Sequence, residues 1–301
     1  MGTRASLESY APDRDTALIR IESFLRILED TERELSTWQP ESAISRLNRQ
    51  SVGVRFPLKA SLCSLFDELR AWTDRTDGAF DPAIGTLVEA WGLHSGGRHP
   101  TAEELQLGLE NAGFEYLDLD LKNCAVARIR PALIDVGAFG KGDALDRVLD
   151  YSRDEDIDGW MINLGGQIMV HGTPPDAESW SLALAHPFDR TQPVLTIELR
   201  EGSLATSGGS ERDIGTGEAR IGHILDPRTG HPLQRNFAVT VWHPRALVAD
   251  ILSTALYVMG EDKGLSWADM HGIAATFLSA EDGGEIEVRA TRLFEEMFLK
   301  D

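Results

Sequence analysis

Apolar residues near the N-terminus recur at helical spacing. Leu18, Ile21, Leu25 and Leu28 keep to one face of a segment running from about Asp15 to Glu34, the repeat an amphipathic helix requires. The stretch "SLCSLFDELRAW" repeats it with Leu62, Leu65, Phe66 and Leu69. After about residue 110 the pattern changes to short β-prone runs: "ARIRPALIDV", "GWMINLGG", "WSLALAH", "VLTIELR", "SLATSG" and "FAVTVW". Two helical runs, "DALDRVLDYSRD" and "PRALVADILSTALYVMG", lie among them; in the second, Pro244 suits a first turn and Gly260 a C-terminal stop. This pattern predicts an α+β fold, a mixed sheet with packed helices. No repeat, low-complexity tract or linker divides the 301 residues, which are therefore expected to form a single domain, 1–301.

Composition narrows the function. With 42% hydrophobic and 26% charged residues the chain reads as a globular one, and no stretch approaches the roughly 18 apolar residues of a membrane helix. A net charge of −20 argues against a broad nucleic-acid surface, because phosphate backbones are held by Lys and Arg clusters. An anionic ligand would need local help from helix N-termini, loop amides or a metal ion. Cys63 and Cys124 form no CxxC pattern and are expected to be core thiols; spacing does not say whether they meet. The N-terminus has no basic region followed by an apolar one, which sets two expectations for location: cytoplasmic if Met1 is the native start, extracytoplasmic if a leader was removed before it.

Four stretches carry candidate chemistry. In "IDVGAFGKGDALD", residues 134 to 146, "ALIDV" reads as a strand, "GAFGKG" as a tight loop and "DALDRVLD" as a helix, so loop amides and a helix N-terminus converge on a spot that binds an anion or is simply a turn. Walker A and GxGxxG are both absent. In "VADILSTALYVMG", Asp250 and Thr254 stand at i and i+4, offering two hard oxygens suited to Mg²⁺ or Ca²⁺, or else a residue favouring the helix dipole and a hydroxyl bonding back to its own helix. In "GHILDPRTGHPL", His223 is expected at a strand end before the Asp226-Pro227 turn. In "TDGAFDPAIG", Phe80 lies between two turns, where an aromatic packs on a flat ligand or on the core.

Taken together and in order, these stretches resemble the ApbE family of Mg²⁺-dependent FAD:protein FMN transferases. The resemblance runs through "MGT", "LSTWQPESAISRLN", "GAFDP", "IDVGAFGKGDALDRV", "INLGGQI", "LATSGG", "HILDPRTG" and "ADILSTAL". It implies that FAD is the substrate, that its pyrophosphate is cut with release of AMP, and that FMN is attached to a Thr hydroxyl of an acceptor protein's flavinylation motif. It implies flavin-nucleotide contacts at Met1, Trp38, Ala79, Phe80, Asp81, Asp135, Lys141 and Ile224, and a metal held by the Ala138 carbonyl, Asp250 and Thr254. On the residues themselves, Lys141 adds positive charge for phosphates, the glycines let backbone approach them, and His223 is either the general base for the incoming hydroxyl, the role expected here, or a structural residue capping the Asp226-Pro227 turn. Asp143 and Asp146 are expected to serve the N-terminus of their own helix. Phe139, Gln167 and Gly209-Ser210 depart from the family's usual wording. Two alternatives stand beside transfer: FAD hydrolysis to FMN and AMP, and a non-catalytic FAD-binding protein.

Overall fold

Strand β1 (Ala5–Ser9) leads into α1 (Arg14–Leu35), where the N-terminal apolar stripe predicts a helix. There follow α2 (Ala43–Arg49), β2 (Phe56–Pro57), α3 (Ala60–Arg75), α4 (Gly85–Ala90), α5 (Ala102–Glu110) and the hairpin of β3 (Leu117–Asp120) and β4 (Ala125–Arg128). Helix α6 (Gly140–Asp154) precedes β5 (Trp160–Leu164), β6 (Gln167–His171), β7 (Trp180–Ala185), β8 (Pro193–Leu199) and β9 (Glu201–Gly208). The chain ends with β10 (Phe237–His243), α7 (Ala246–Met259), α8 (Glu261–Met270), β11 (Ala274–Ala280), β12 (Ile286–Ala290) and α9 (Arg292–Phe298). The computed structural model describes residues 3–209, 213–214, 221–280 and 285–299. The chain divides into two compact units, one of residues 1–32, 139–210 and 235–301, the other of residues 33–138 and 211–234.

The first unit is built on a seven-stranded sheet ordered β1-β5-β6-β9-β10-β11-β12, with β7 and β8 as a separate ribbon. The α+β class expected from the pattern is the class observed; the described ladders are all antiparallel where a mixed sheet was expected. The β5–β6 turn shows why: Gly165 and Gly166 take φ of +59° and +91°, the left-handed pair that a two-residue hairpin turn requires. Helix α7 packs against β9, β10 and α6. Of its fourteen residues twelve are buried, so each polar side chain it carries needs a partner of its own. Where α6 meets α7 the backbones touch: a Cβ on Gly142 would lie 2.5 Å from the Ala246 carbonyl oxygen and 2.6 Å from Leu247 Cα.

The second unit holds the small sheet β2-β4-β3 and helices α2 to α5. Leu87, Val88, Trp91, Ile221 and Leu225 form one of its apolar clusters, and Trp91 Nε1 donates to the Gly230 carbonyl at 2.7 Å. The "ALIDV" segment, 132 to 136, is not the expected strand. Its backbone groups are satisfied singly instead: Ile134 N donates to the Asn48 side chain (2.9 Å), whose amide donates back to the Ile134 carbonyl (2.8 Å), and Asp135 N donates to Pro82 O (2.8 Å). Such bonds satisfy the backbone as fully as a ladder would. The expected loop "GAFGKG" is shorter as well, since α6 already begins at Gly140 and takes Lys141 and Gly142 into its first turn.

Candidate functional site

In the first unit the chemistry centres on Asp250, 4% exposed on the apolar helix α7. An isolated carboxylate there would be strongly disfavoured. Helix α6 supplies the partners: Lys141 Nζ lies 2.8 Å from Asp250 Oδ1 and 3.1 Å from Oδ2, and Gly142 N donates to Oδ2 at 3.1 Å. Gly142 is thus explained by packing on α7, where the sequence reading assigned the loop glycines to ligand approach. Lys141, expected to address phosphates, is engaged by Asp250. The Thr254 hydroxyl lies 3.3 Å from the Asp250 carbonyl oxygen and 3.5 Å from Ser207 Oγ, and Ser207 Oγ is 3.0 Å from Ser253 Oγ. The Ser253 and Thr254 hydroxyls reach the Asp250 backbone carbonyl; these groups and the carboxylate offer only oxygen atoms, the donor chemistry that suits a hard divalent cation such as Mg²⁺. Ser207 and Ser253 escaped the sequence reading, although "LATSGG" and "ADILSTAL" contain them.

Two departures noted in the sequence belong to the same unit. Gln167, 2% exposed, donates from Nε2 to the Ala246 carbonyl at 2.8 Å, and Phe139 is fully buried. Asp146 does its capping on a different helix from the one expected: its carboxylate accepts from Ala246 N (2.5 Å) and Leu247 N (3.2 Å), the first residues of α7. Burial pushes its pKa up to about 6, against the lowering effect of those two bonds.

In the second unit, Trp38 is 63% exposed, with the His94 ring tilted against it at a centroid distance of 4.7 Å. His94 Nε2 lies 3.2 Å from Asp135 Oδ2, and this hydrogen bond raises the histidine's pKa against the opposing effect of burial. Trp38 and Asp135, far apart in sequence, are thereby joined through a residue that no motif singled out. A cavity of about 230 Å³ opens beside them, its lining including Thr37, Asn48, Arg49, Glu89 and His94. Ala79 and Phe80 are each 1% exposed, so Phe80 packs on the core, the blander of its two readings. Asp81 accepts from Ala83 N (2.7 Å) and Phe114 N (2.9 Å), and burial raises its pKa to about 6. Ala138 lies in the turn just before α6.

His223 lies between two isolated bridges, Ile214↔Ile221 and Leu225↔Pro232, and not at the end of a regular strand. Its Nδ1 is 2.9 Å from Asp213 Oδ1, and its backbone N donates to the same oxygen at 3.0 Å. Asp213 has a side chain only 3% exposed. Held so, the imidazole keeps one ring nitrogen on the carboxylate and leaves Nε2 as the other, the arrangement that orients a general base. Asp213 carries no sequence signal: it stands in no motif and meets His223 only through the bridge at Ile214. Ile224 follows, half-buried, its carbonyl accepting from Leu233 N at 2.8 Å. Met1 lies outside the described residues.

Elsewhere, Asp158, His171 and Glu201 bring three ligand atoms within 4.8 Å of one another. His171 and Glu201 are direct partners across the β6–β9 ladder, with Nδ1 to Oε2 at 2.8 Å, and Gly172 N donates to Glu201 at 3.0 Å. These bonds fasten the end of the ladder between two interior strands.

A family model described as "ApbE family" matches residues 1–277. A FAD:protein FMN transferase of Vibrio cholerae is 31% identical over 264 residues, covering 86% of this chain and 79% of its own. One from Klebsiella pneumoniae is 31% identical, covering 88% and 82%. Among solved structures, the flavin transferase ApbE from Vibrio cholerae superposes with a TM-score of 0.87 at 28% identity, covering 99% of this chain and 96% of that one. The ApbE protein from Thermotoga maritima gives 0.86 at 30% identity, covering 98% and 95%. With a match this long, in sequence and in fold alike, the chain belongs to the ApbE family.

Proposed function

We propose that this chain is a FAD:protein FMN transferase that moves FMN from FAD onto a threonine hydroxyl of an acceptor protein and releases AMP. The observation that carries the catalytic part is the Asp213–His223 pair. A protein that only bound FAD has no need of a buried carboxylate holding an imidazole. In the transfer the acceptor oxygen forms a bond to the FMN phosphorus, the pyrophosphate P–O bond breaks, and AMP departs with the electron pair. His223 Nε2 takes the hydroxyl proton, while Asp213 holds Nδ1 and stabilises the imidazolium.

Asp250 and Thr254, with the Ala138 carbonyl, would hold Mg²⁺, which neutralises charge on the phosphate oxygens when bound. Lys141 adds a second positive charge beside Asp250, 2.8 Å from its Oδ1. Trp38 offers an exposed indole face to a flat ring, and Asp135 an acceptor for a polar group of the nucleotide. Ala79, Phe80, Asp81, Ile224 and Met1 complete the proposed nucleotide contacts; for the buried Ala79 and Phe80 the contact would be made by backbone.

Incubation with FAD, Mg²⁺ and an acceptor carrying a threonine flavinylation motif tests the reading. Transfer gives covalent, in-gel fluorescent flavin on the acceptor together with AMP. AMP without a labelled acceptor would make the chain a FAD hydrolase, and FAD binding with neither product would make it a binding protein.

A further inference from the structure

The chain's two cysteines, far apart in sequence, meet in the second unit. Cys63 lies in the first turn of α3 and is 4% exposed. Cys124 closes the β3–β4 turn and is partly exposed. The turn is tied to the start of α3 through Leu58 N, which donates to the Cys124 carbonyl at 2.8 Å. Both thiols address one acceptor: each Sγ is 3.9 Å from the Leu121 carbonyl oxygen.

Cys124 adopts a φ of +45°, a left-handed conformation that a tight hairpin turn ordinarily fills with Gly or Asn. A cysteine there carries a conformational cost, and what it adds over glycine is a thiol against Cys63. The transfer reaction uses neither residue. We infer that Cys63 and Cys124 are a redox pair that closes to an intramolecular disulfide on reaction with a small-molecule disulfide.

The step balances without any further reactant. The more exposed Cys124, as thiolate, attacks one sulfur of the small disulfide, forms a mixed disulfide and releases one small thiol. Cys63 then gives its proton to solvent and attacks Cys124 Sγ; the protein S–S bond forms and the second small thiol leaves. Two protein thiols are oxidised and one small disulfide is reduced. The neighbouring Cys124 thiol, and then burial, push the Cys63 thiol up to about 11, which suits it to be the resolving partner, because the first step converts that thiol to a disulfide sulfur. The pair would stand closed in an oxidising compartment and open in a reducing one.

The test uses the full chain, fully reduced and then incubated with oxidised glutathione, with intact mass and thiol labelling as readouts. The expected product has lost two hydrogens, carries no glutathione and has no thiol open to alkylation. Cys63→Ser and Cys124→Ser should each abolish that loss while folding as the parent does. A stable glutathione adduct with Cys63 still free, a dimer linked between chains, or two thiols that survive the oxidant would each overturn the inference.

Discussion

Two buried carboxylates, one in each unit, solve the same problem with different cations. Asp250 and Asp213 each accept a side-chain nitrogen and a backbone N–H: Lys141 Nζ and Gly142 N for the first, the ring and backbone of His223 for the second. The nitrogen partners differ in kind: an ammonium only donates, whereas an imidazole has a second ring nitrogen that can accept. The first pair is a permanent electrostatic fixture, suited to holding a cation site. The second leaves Nε2 of the ring for the proton that the proposed transfer moves. Burial looks alike in both; the identity of the nitrogen partner separates them.

The largest expected effect comes from removing the carboxylate of the fixed pair. Asp250→Ala should abolish Mg²⁺-dependent transfer, measured as fluorescent acceptor, because it removes the only anionic ligand of the proposed metal site. It should also lower stability, since Lys141 is left partly buried without its counter-charge. Turnover at the parent rate in chelator-treated buffer would refute the assignment, whereas Ala138→Ser should be mild because only its carbonyl is used.

On the titrating pair, His223→Gln should lower transfer by about two to four orders of magnitude, the usual worth of a general base. FAD and Mg²⁺ binding should persist. Asp213→Asn should cost less and alter the pH dependence of what remains, because the ring loses its orienting charge. A parent-like rate and pH profile for His223→Gln would leave both residues structural and dissolve the contrast.

Stability sharpens the comparison further. Lys141→Met should cost roughly 3–5 kcal/mol in denaturant unfolding, the usual price of breaking a buried pair from one side. The double change Lys141→Met with Asp250→Leu should recover most of that loss without recovering activity. Failure to recover it would mean that the pair also determines how α6 and α7 pack.

The smallest effect concerns Asp146, whose pKa burial raises to about 6. The folded state holds its proton more tightly than the unfolded chain does, so its contribution to stability is fully present below the unfolded value near 3.8 and is lost as pH rises through about 6. Asp146→Asn should therefore destabilise more at pH about 4 than at pH about 7, measured by thermal melts across that range. A pH-independent difference would show that the carboxyl acts through its two caps on α7 alone.

Much of the site was legible because its residues sit in local wording. Asp250 and Thr254 stand out by helical spacing. Asp213, His94 and Ser207 carried no such signal, since each acquires its role from a partner brought close by the fold: His223, Asp135 and Ser253. The "ALIDV" run misled because apolar β-prone residues satisfy their backbone equally well against a side chain such as Asn48. Asp146 misled for a related reason: position in a helix shows which N-terminus is near in sequence, while the one it caps belongs to α7.

By itself the sequence determined the helices with apolar stripes, the α+β class and, through its motifs, the family. These are properties of short stretches, governed by periodicity and backbone conformation. Tertiary structure alone decided which nitrogen meets which carboxylate, that α6 and α7 share one buried charge pair, and that two distant cysteines reach one carbonyl oxygen. Those outcomes depend on chain segments separated by many residues, and only packing, which excludes water and forces each buried charge to find its partner, selects among them.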